Sequence, residues 1–281
     1  MTNFPQESSE HSGEMENEFL EGIFCHAKCR NLSEGDKLQV EKAFALACKA
    51  HARQTRQSKV RNKKDKDPYM DHIIEVLWDY LRITKRPFVE VDDLVVTILH
   101  DVVEDHPEYA HEIFSEFGDA VFSRIESISK GSPRVVGAIT EERMSRLLSP
   151  CSSAFSISMY SQMYLRLFEI GAIFPTHLEL YGYLWSLYPR MQTNLKNYYF
   201  LWKVALLPEK DFEIKCADRM SNLKHLTHVD KKYVEKTLHS TKIYIMKAQA
   251  LGRYDLVREL DVGIESLELK QEEFMRKEAL S

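Results

Sequence analysis

Glycine and proline are scarce in this sequence, at 10 and 9 of 281 residues. That scarcity argues against a fold of many tight turns and for long helices. Cysteine is sparse too. The five thiols (Cys25, Cys29, Cys48, Cys151 and Cys216) are odd in number and show no paired framework, so reduced thiols are expected rather than a disulfide scaffold. Cys25, His26 and Cys29 would lie within one helical turn, but a structural zinc site needs four ligands and no second close pair follows. A basic surplus is missing as well: the formal charge is -5, which argues against nucleic acid as the main partner. No run approaches the roughly 18 apolar residues needed to cross a membrane. The start, MTNFPQESSEHSGEMENEF, lacks the basic-then-apolar pattern of a secretion signal. A cytoplasmic protein with no membrane partner is expected, with homo-oligomerisation left open.

What is present reads as helices. Residues 1–17 are polar and acidic and are expected to be a disordered tail. Ser33 can cap a helix through about Gln57, with Val40, Phe44, Ala47 and Ala50 as its apolar stripe. A charged loop, SKVRNKKDKD, then runs to Pro68, which suits the first turn of a helix burying Ile73, Val76, Leu77 and Tyr80. Asp92 or Asp93 can cap DLVVTILHDVVED, a helix apolar nearly all round, and His106-Pro107 ends it. Two short amphipathic helices follow, broken near Gly118. From Phe155 to Trp202 lie 13 of the 30 aromatic residues, spaced as a further helical wall. DFEIKCADRMSNLKHL reads as a helix with Ile214, Ala217, Met220 and Leu223 inward, and two or three amphipathic helices complete the chain.

The informative oddity is His100-Asp101 inside an apolar segment. A buried polar pair costs several kcal/mol unless hydrogen bonds or a metal compensate, about 2–7 kcal/mol per unpaired group. On a continuous helix, residues 100, 101, 104 and 105 fall within an arc of about 140°. His100, Asp101, Glu104 and Asp105 would then cluster and repel without a cation among them. The dipeptide alone is weak, since chance supplies about 0.6 such pairs in a chain of this composition. Two other segments strengthen it: PYMDH sets His72 at a helix start, and KCADRMSN sets Asp218 and Asn222 one turn apart on a late helix.

With these pieces in place, the chain resembles the HD superfamily of metallohydrolases, and within it the hydrolase domain of RelA/SpoT-type alarmone enzymes and small single-domain (p)ppGpp hydrolases. AHARQTR (50–56), PYMDH (68–72), LHDVVED (99–105), EIFSEFGDAVFSRIESISK (112–130) and KCADRMSNLKHL (215–226) follow that family's motifs in order. The resemblance covers about 43–130 and 198–226. It implies an all-α HD-domain bundle over 18–281, with an aromatic-rich helical insertion at about 131–200 and a helical extension at 231–281.

The resemblance also implies roles. His72, His100, Asp101 and Asp218 become ligands of a metal ion, typically Mn²⁺, with another divalent ion as the alternative. Glu104 and Asp105 become the acidic pair that positions or deprotonates the attacking water. Arg56 would pack on a guanine ring and Asn222 would touch the nucleotide. The implied reaction removes the 3′-pyrophosphate from ppGpp or pppGpp, giving GDP or GTP and pyrophosphate. The alternatives are an HD phosphohydrolase of another nucleotide such as ppApp, or a nucleotide-sensing or partner-binding HD protein such as an antitoxin. Four departures bear on substrate choice: Gln57 replaces a lysine, a lysine-bearing loop replaces a short glycine turn, Val102 replaces a threonine, and the stretch after Lys130 is longer by about fifty residues. His106, His111, His225 and His228 fit no motif.

Overall fold

The computed structural model describes residues 18–52, 54–55, 68–130, 195–225 and 231–280. The expected tail at 1–17, the charged loop with Arg56, and residues 131–194 of the expected insertion lie outside the described residues. Among the described residues the fold is all-α. No strand occurs there, and one isolated bridge joins Thr55 to Pro68.

Helix α1 covers 18–25 and leads through a 3-10 turn, Ala27–Cys29, into α2, Glu34–His51. Helices α3 (Tyr69–Ile83), α4 (Val91–Leu99), α5 (Val102–Asp105) and α6 (Ala110–Ile128) follow. After the undescribed segment come α7 (Leu195–Leu206), α8 (Glu209–His225), α9 (Lys231–Ala250) and α10 (Tyr254–Leu280). Helix α8 packs against both α3 and α10, α2 packs on α4, and α9 pairs with α10. Every side chain from Asp93 to His100 is buried, as expected of a segment without a polar face. On α8, Ile214, Ala217, Met220 and Leu223 point inward, as their spacing predicts.

Three local outcomes differ from the sequence reading. Helix α2 stops at His51, because the chain turns extended to let the Gln54 carbonyl accept from Tyr69 N and Thr55 bridge Pro68. Helix α4 is capped by Glu90, with Asp93 as the return partner of a capping box, rather than by Asp92 or Asp93. Asp93 is drawn inward by Arg86 and Arg124, at 2.6 and 2.7 Å, and so cannot sit at the cap itself. The third difference matters most. The segment DLVVTILHDVVED is not one helix, since α4 ends at Leu99 and α5 begins at Val102, leaving His100 and Asp101 in a turn between them. The break expected near Gly118 is found there, with φ at 80°. Only glycine takes that value without strain.

A second ion-pair network lies toward the N-terminal ends of α4 and α8. Arg124 joins Asp93 to Asp211, and Arg86 joins Asp93 to Glu213. Burial would raise the Asp93 carboxyl, but the charges and hydrogen bonds of Arg124 and Arg86 more than offset it and hold it low. No helix among the described residues is long and apolar enough to cross a membrane.

Candidate metal centre

Four elements bring the expected ligands together. His72 sits in the first turn of α3, just past Pro68, and Asp218 lies in the middle of α8. His100 and Asp101 occupy the turn between α4 and α5. One ligand atom from each of the four residues lies within 4.8 Å of all the others. His72 Nε2 is 3.6 Å from Asp101 Oδ2 and 3.5 Å from Asp218 Oδ1, and His100 Nε2 is 3.1 Å from Asp101 Oδ2. His72 and His100 are 3% and 0% exposed, so bulk solvent does not reach them.

The far side of each ring fixes which nitrogen faces the cluster. His100 Nδ1 donates to the Thr97 carbonyl at 2.8 Å, which leaves Nε2 as the nitrogen that faces the cluster. That buried Nε2 has no hydrogen-bond partner despite the nearby Asp101 oxygen. An imidazole nitrogen left without a hydrogen bond beside two carboxylates is a donor set that a cation would complete. His72 Nδ1 faces Ser221 Oγ at 2.9 Å, and Ser221 in turn donates to Glu75 Oε2 at 2.6 Å. Both rings thus aim Nε2 at the same place as two carboxylates, a set suited to a borderline divalent ion.

The electrostatics agree. Burial opposes ionisation of Asp101, but His100, His72 and Lys215 hold its carboxyl well below the usual range. Burial likewise opposes Asp218, which Lys215 and His72 hold low against the neighbouring Asp101 charge. Burial disfavours a charged His72, but hydrogen bonds and charges from Asp101 and Asp218 overcome it and lift the ring to about 9. These groups favour positive charge between the carboxylates.

Surrounding side chains steady the carboxylates. Tyr69 donates to Asp101 Oδ2 at 2.6 Å, Lys215 to Asp218 Oδ2 at 2.5 Å, and Asn222 to Asp218 Oδ1 at 2.6 Å. The Lys215 ammonium is buried and also faces the Phe200 ring at 5.5 Å.

Glu104 and Asp105 are adjacent in sequence but differ in setting. Glu104 is partly buried, accepts from Lys130 N at 2.7 Å, and is raised in pKa by burial first and by Asp101 second. Asp105 is exposed and accepts from Gln54 Nε2 at 2.7 Å. The Gln54 oxygen accepts from His51 Nδ1 and His106 Nε2, at 2.7 and 2.9 Å, and His51 stacks on Tyr69 with centroids 4.4 Å apart. The structure therefore gathers His72, His100, Asp101 and Asp218, with Glu104 and Asp105 beside them on the short α5. Asn222 sits against Asp218, and Arg56 lies outside the described residues.

Sequence reasoning missed Tyr69, Glu75 and Ser221, offered Lys215 only as an ion-pair partner of Asp218, and gave no role to His106 or His225, which nonetheless join the surrounding hydrogen bonds. A usable signal existed. Tyr69 and Glu75 stand three residues either side of His72, and Lys215 and Ser221 three residues either side of Asp218, so each shares its ligand's helix face.

No family model matches the chain. Over 102 residues it is 31% identical to a protein of Mycobacterium leprae described as a probable GTP pyrophosphokinase. The matched stretch is 36% of this chain and 12% of that protein, so the similarity is to a small part of a much longer enzyme.

Proposed function

We propose that this chain is an HD-type, Mn²⁺-dependent hydrolase that removes the 3′-pyrophosphate from guanosine tetra- or pentaphosphate, giving GDP or GTP and pyrophosphate. The observation that carries this reading is the buried, partnerless His100 Nε2, aimed where His72, Asp101 and Asp218 also converge. Supporting the substrate class are the ordered motifs and the partial similarity to a probable GTP pyrophosphokinase. We take 18–281 as a single helical domain carrying this site.

His72 and His100 would hold the ion through Nε2, and Asp101 and Asp218 through one carboxylate oxygen each. When bound, a divalent cation there polarises a phosphoryl oxygen and makes a neighbouring water more acidic. The water oxygen adds to phosphorus, the bond from phosphorus to the 3′ oxygen breaks, and that oxygen leaves with a proton. Glu104, partly shielded and raised in pKa, exchanges the proton, a role worth about 10²–10⁴-fold in rate. Asp105, held by Gln54, orients the attacking water. Lys215 lowers the negative charge that a polyphosphate meets on approach. Asn222 touches the nucleotide while steadying Asp218, and Arg56 stacks on the base.

A second reading follows from Gln57 and the lysine-bearing loop, which replace the guanine-side pieces of the resembled family. On that reading the same centre hydrolyses another nucleotide, such as ppApp. The test offers purified protein with Mn²⁺ a panel of ppGpp, ppApp, dNTPs and simple phosphodiesters, with Asp101→Ala as control. Release of pyrophosphate from ppGpp by the wild type alone is expected. Turnover of ppApp in its place supports the second reading, and nucleotide binding without metal-dependent turnover of any substrate overturns both.

A further inference from the structure

Behind His72 runs a hydrogen-bonded chain that the catalytic reading leaves unused. His72 Nδ1 meets Ser221 Oγ at 2.9 Å, Ser221 Oγ donates to Glu75 Oε2 at 2.6 Å, and His225 Nε2 meets the same Glu75 oxygen at 2.8 Å. Lys224 approaches the other Glu75 oxygen at 3.2 Å and reaches on to Asp79 at 2.7 Å. Ser221 is 0% exposed, so bulk solvent does not reach its hydroxyl.

We infer that Ser221 and Glu75 are positioning residues that fix the ring orientation and tautomer of His72 for cation binding. The inference rests on the proposed metal centre. Glu75 is ionised, held so by Ser221, Lys224 and His225 against its own burial, and therefore only accepts. Ser221 must give its single proton to Glu75, which leaves its oxygen as an acceptor. His72 must then donate through Nδ1, and its Nε2 is the atom left to face Asp101 and Asp218. An outer hydrogen bond of this kind sets which imidazole nitrogen a metal meets.

The wiring is reciprocal between two helices. His72 and Glu75 are three residues apart on α3, and Asp218 and Ser221 are three apart on α8, so each pair shares a face. Each helix thus supplies one ligand and one outer partner. The α8 hydroxyl orients the α3 ligand, and the α3 carboxylate orients that hydroxyl. The packing of α3 on α8 and the geometry of the site are consequently one constraint.

Two variants test this. Ser221→Ala removes the acceptor for His72. Glu75→Gln keeps the shape but offers an amide N–H, so the Ser221 hydroxyl can turn and donate to His72 Nδ1, driving the ring proton onto Nε2. Mn²⁺ affinity, measured by the electron spin resonance signal of free Mn²⁺, is expected to fall about 10–100-fold in both. Melting temperatures of the chelator-treated proteins should stay at the wild-type value. In Zn²⁺-loaded wild type, proton NMR should show exchange-protected imidazole N–H signals from both His72 and His100, and the His72 signal should disappear in Ser221→Ala.

The outcomes separate cleanly. If wild type takes up neither ion, the metal reading fails and this inference falls with it. If wild type binds while both variants bind equally well and Ser221→Ala keeps the protected His72 N–H, the inference is overturned and the metal reading stands. Affinity losses matched by an equal loss of metal-free stability in both variants would also overturn it, by showing a packing role.

Discussion

Glu104→Gln should make the metal-free protein more stable while nearly abolishing its activity. In the fold, the Glu104 carboxyl is partly withdrawn from water and lies near the Asp101 charge, and both effects raise its pKa. Its hydrogen bond from Lys130 N to Oε2, at 2.7 Å, needs only an acceptor, which a glutamine oxygen supplies. The substitution therefore keeps the contact and the volume and removes the unfavourable charge. Relief of that kind is worth about 0.5–2 kcal/mol. At about 2–4 °C per kcal/mol for a chain somewhat shorter than this one, melting should rise by about 1–8 °C. The pH dependence gives a sign to check. A carboxyl whose folded pKa is raised favours the fold below its unfolded value, about 4.3, and loses that contribution as pH climbs through the folded value. The advantage of Glu104→Gln should then be absent at pH 4 and grow above it. Thermal melts of chelator-treated proteins across pH 4 to 8, together with pyrophosphate release under Mn²⁺, provide the assay. A variant less stable than wild type at pH 7, or one that retains full turnover, would refute the reasoning.

Three further outcomes are expected. Saturating Mn²⁺ at about 100 times its dissociation constant should stabilise wild type by about 2.7 kcal/mol, or about 5–11 °C in melting temperature. His100→Ala and Asp101→Asn should show no such shift, and an equal shift in either would remove that residue from the site. Asp93→Ala should cost about 3 kcal/mol by urea unfolding at pH 7, the low end for a broken buried pair, because Arg86 reaches solvent and Arg124 keeps Asp211. The Asp93 carboxyl is depressed in the fold, so its contribution is present above the unfolded value of about 3.9 and is lost as pH falls through the folded one. The two proteins should converge in acid, and a gap that persists undiminished at pH 2 would contradict the assignment. Gly263→Ala on α10 should lose about 1 kcal/mol overall. A helical alanine gains about 1 kcal/mol over glycine, but its Cβ would stand 2.9 Å from Leu223 Cδ1 and 3.3 Å from Leu223 Cβ on α8, and overpacking costs about 1–3 kcal/mol. A stabilised variant would show that α8 yields at that contact.

Much of the fold was legible because burial follows periodicity. The inward faces of α3 and α8 were readable from apolar spacing, and the break at Gly118 from a glycine between two amphipathic runs. The cap of α4 was misplaced for a reason invisible locally. Asp93 is a good capping residue by type, but two distant arginines recruit its carboxylate, and the cap passes to Glu90. The four converging side chains were reached through motifs and resemblance, since residues 72, 100, 101 and 218 carry no mutual spacing that periodicity could reveal. Their outer partners could have been found from helical spacing, but only once the ligands themselves were in hand.

At the misread α4–α5 junction, adjacent residues serve one centre. On a continuous helix His100 and Asp101 would diverge by about 100°, and only one of them could point squarely at a shared ion. The turn between Leu99 and Val102 draws φ at Asp101 out to -102° while both residues stay right-handed, and His100 Nε2 lies 3.1 Å from Asp101 Oδ2. Apolar residues on both sides are fully buried and hold the turn in place, Leu99 before it and Val102 and Val103 after it. Helix α5 follows at once, with Asp105 N donating to the Asp101 carbonyl at 2.9 Å. Glu104 is carried toward Lys130 and Asp105 toward Gln54. A segment that reads as a single apolar helix is thus interrupted at its two ligands, and the two acids beyond the interruption end in unequal environments.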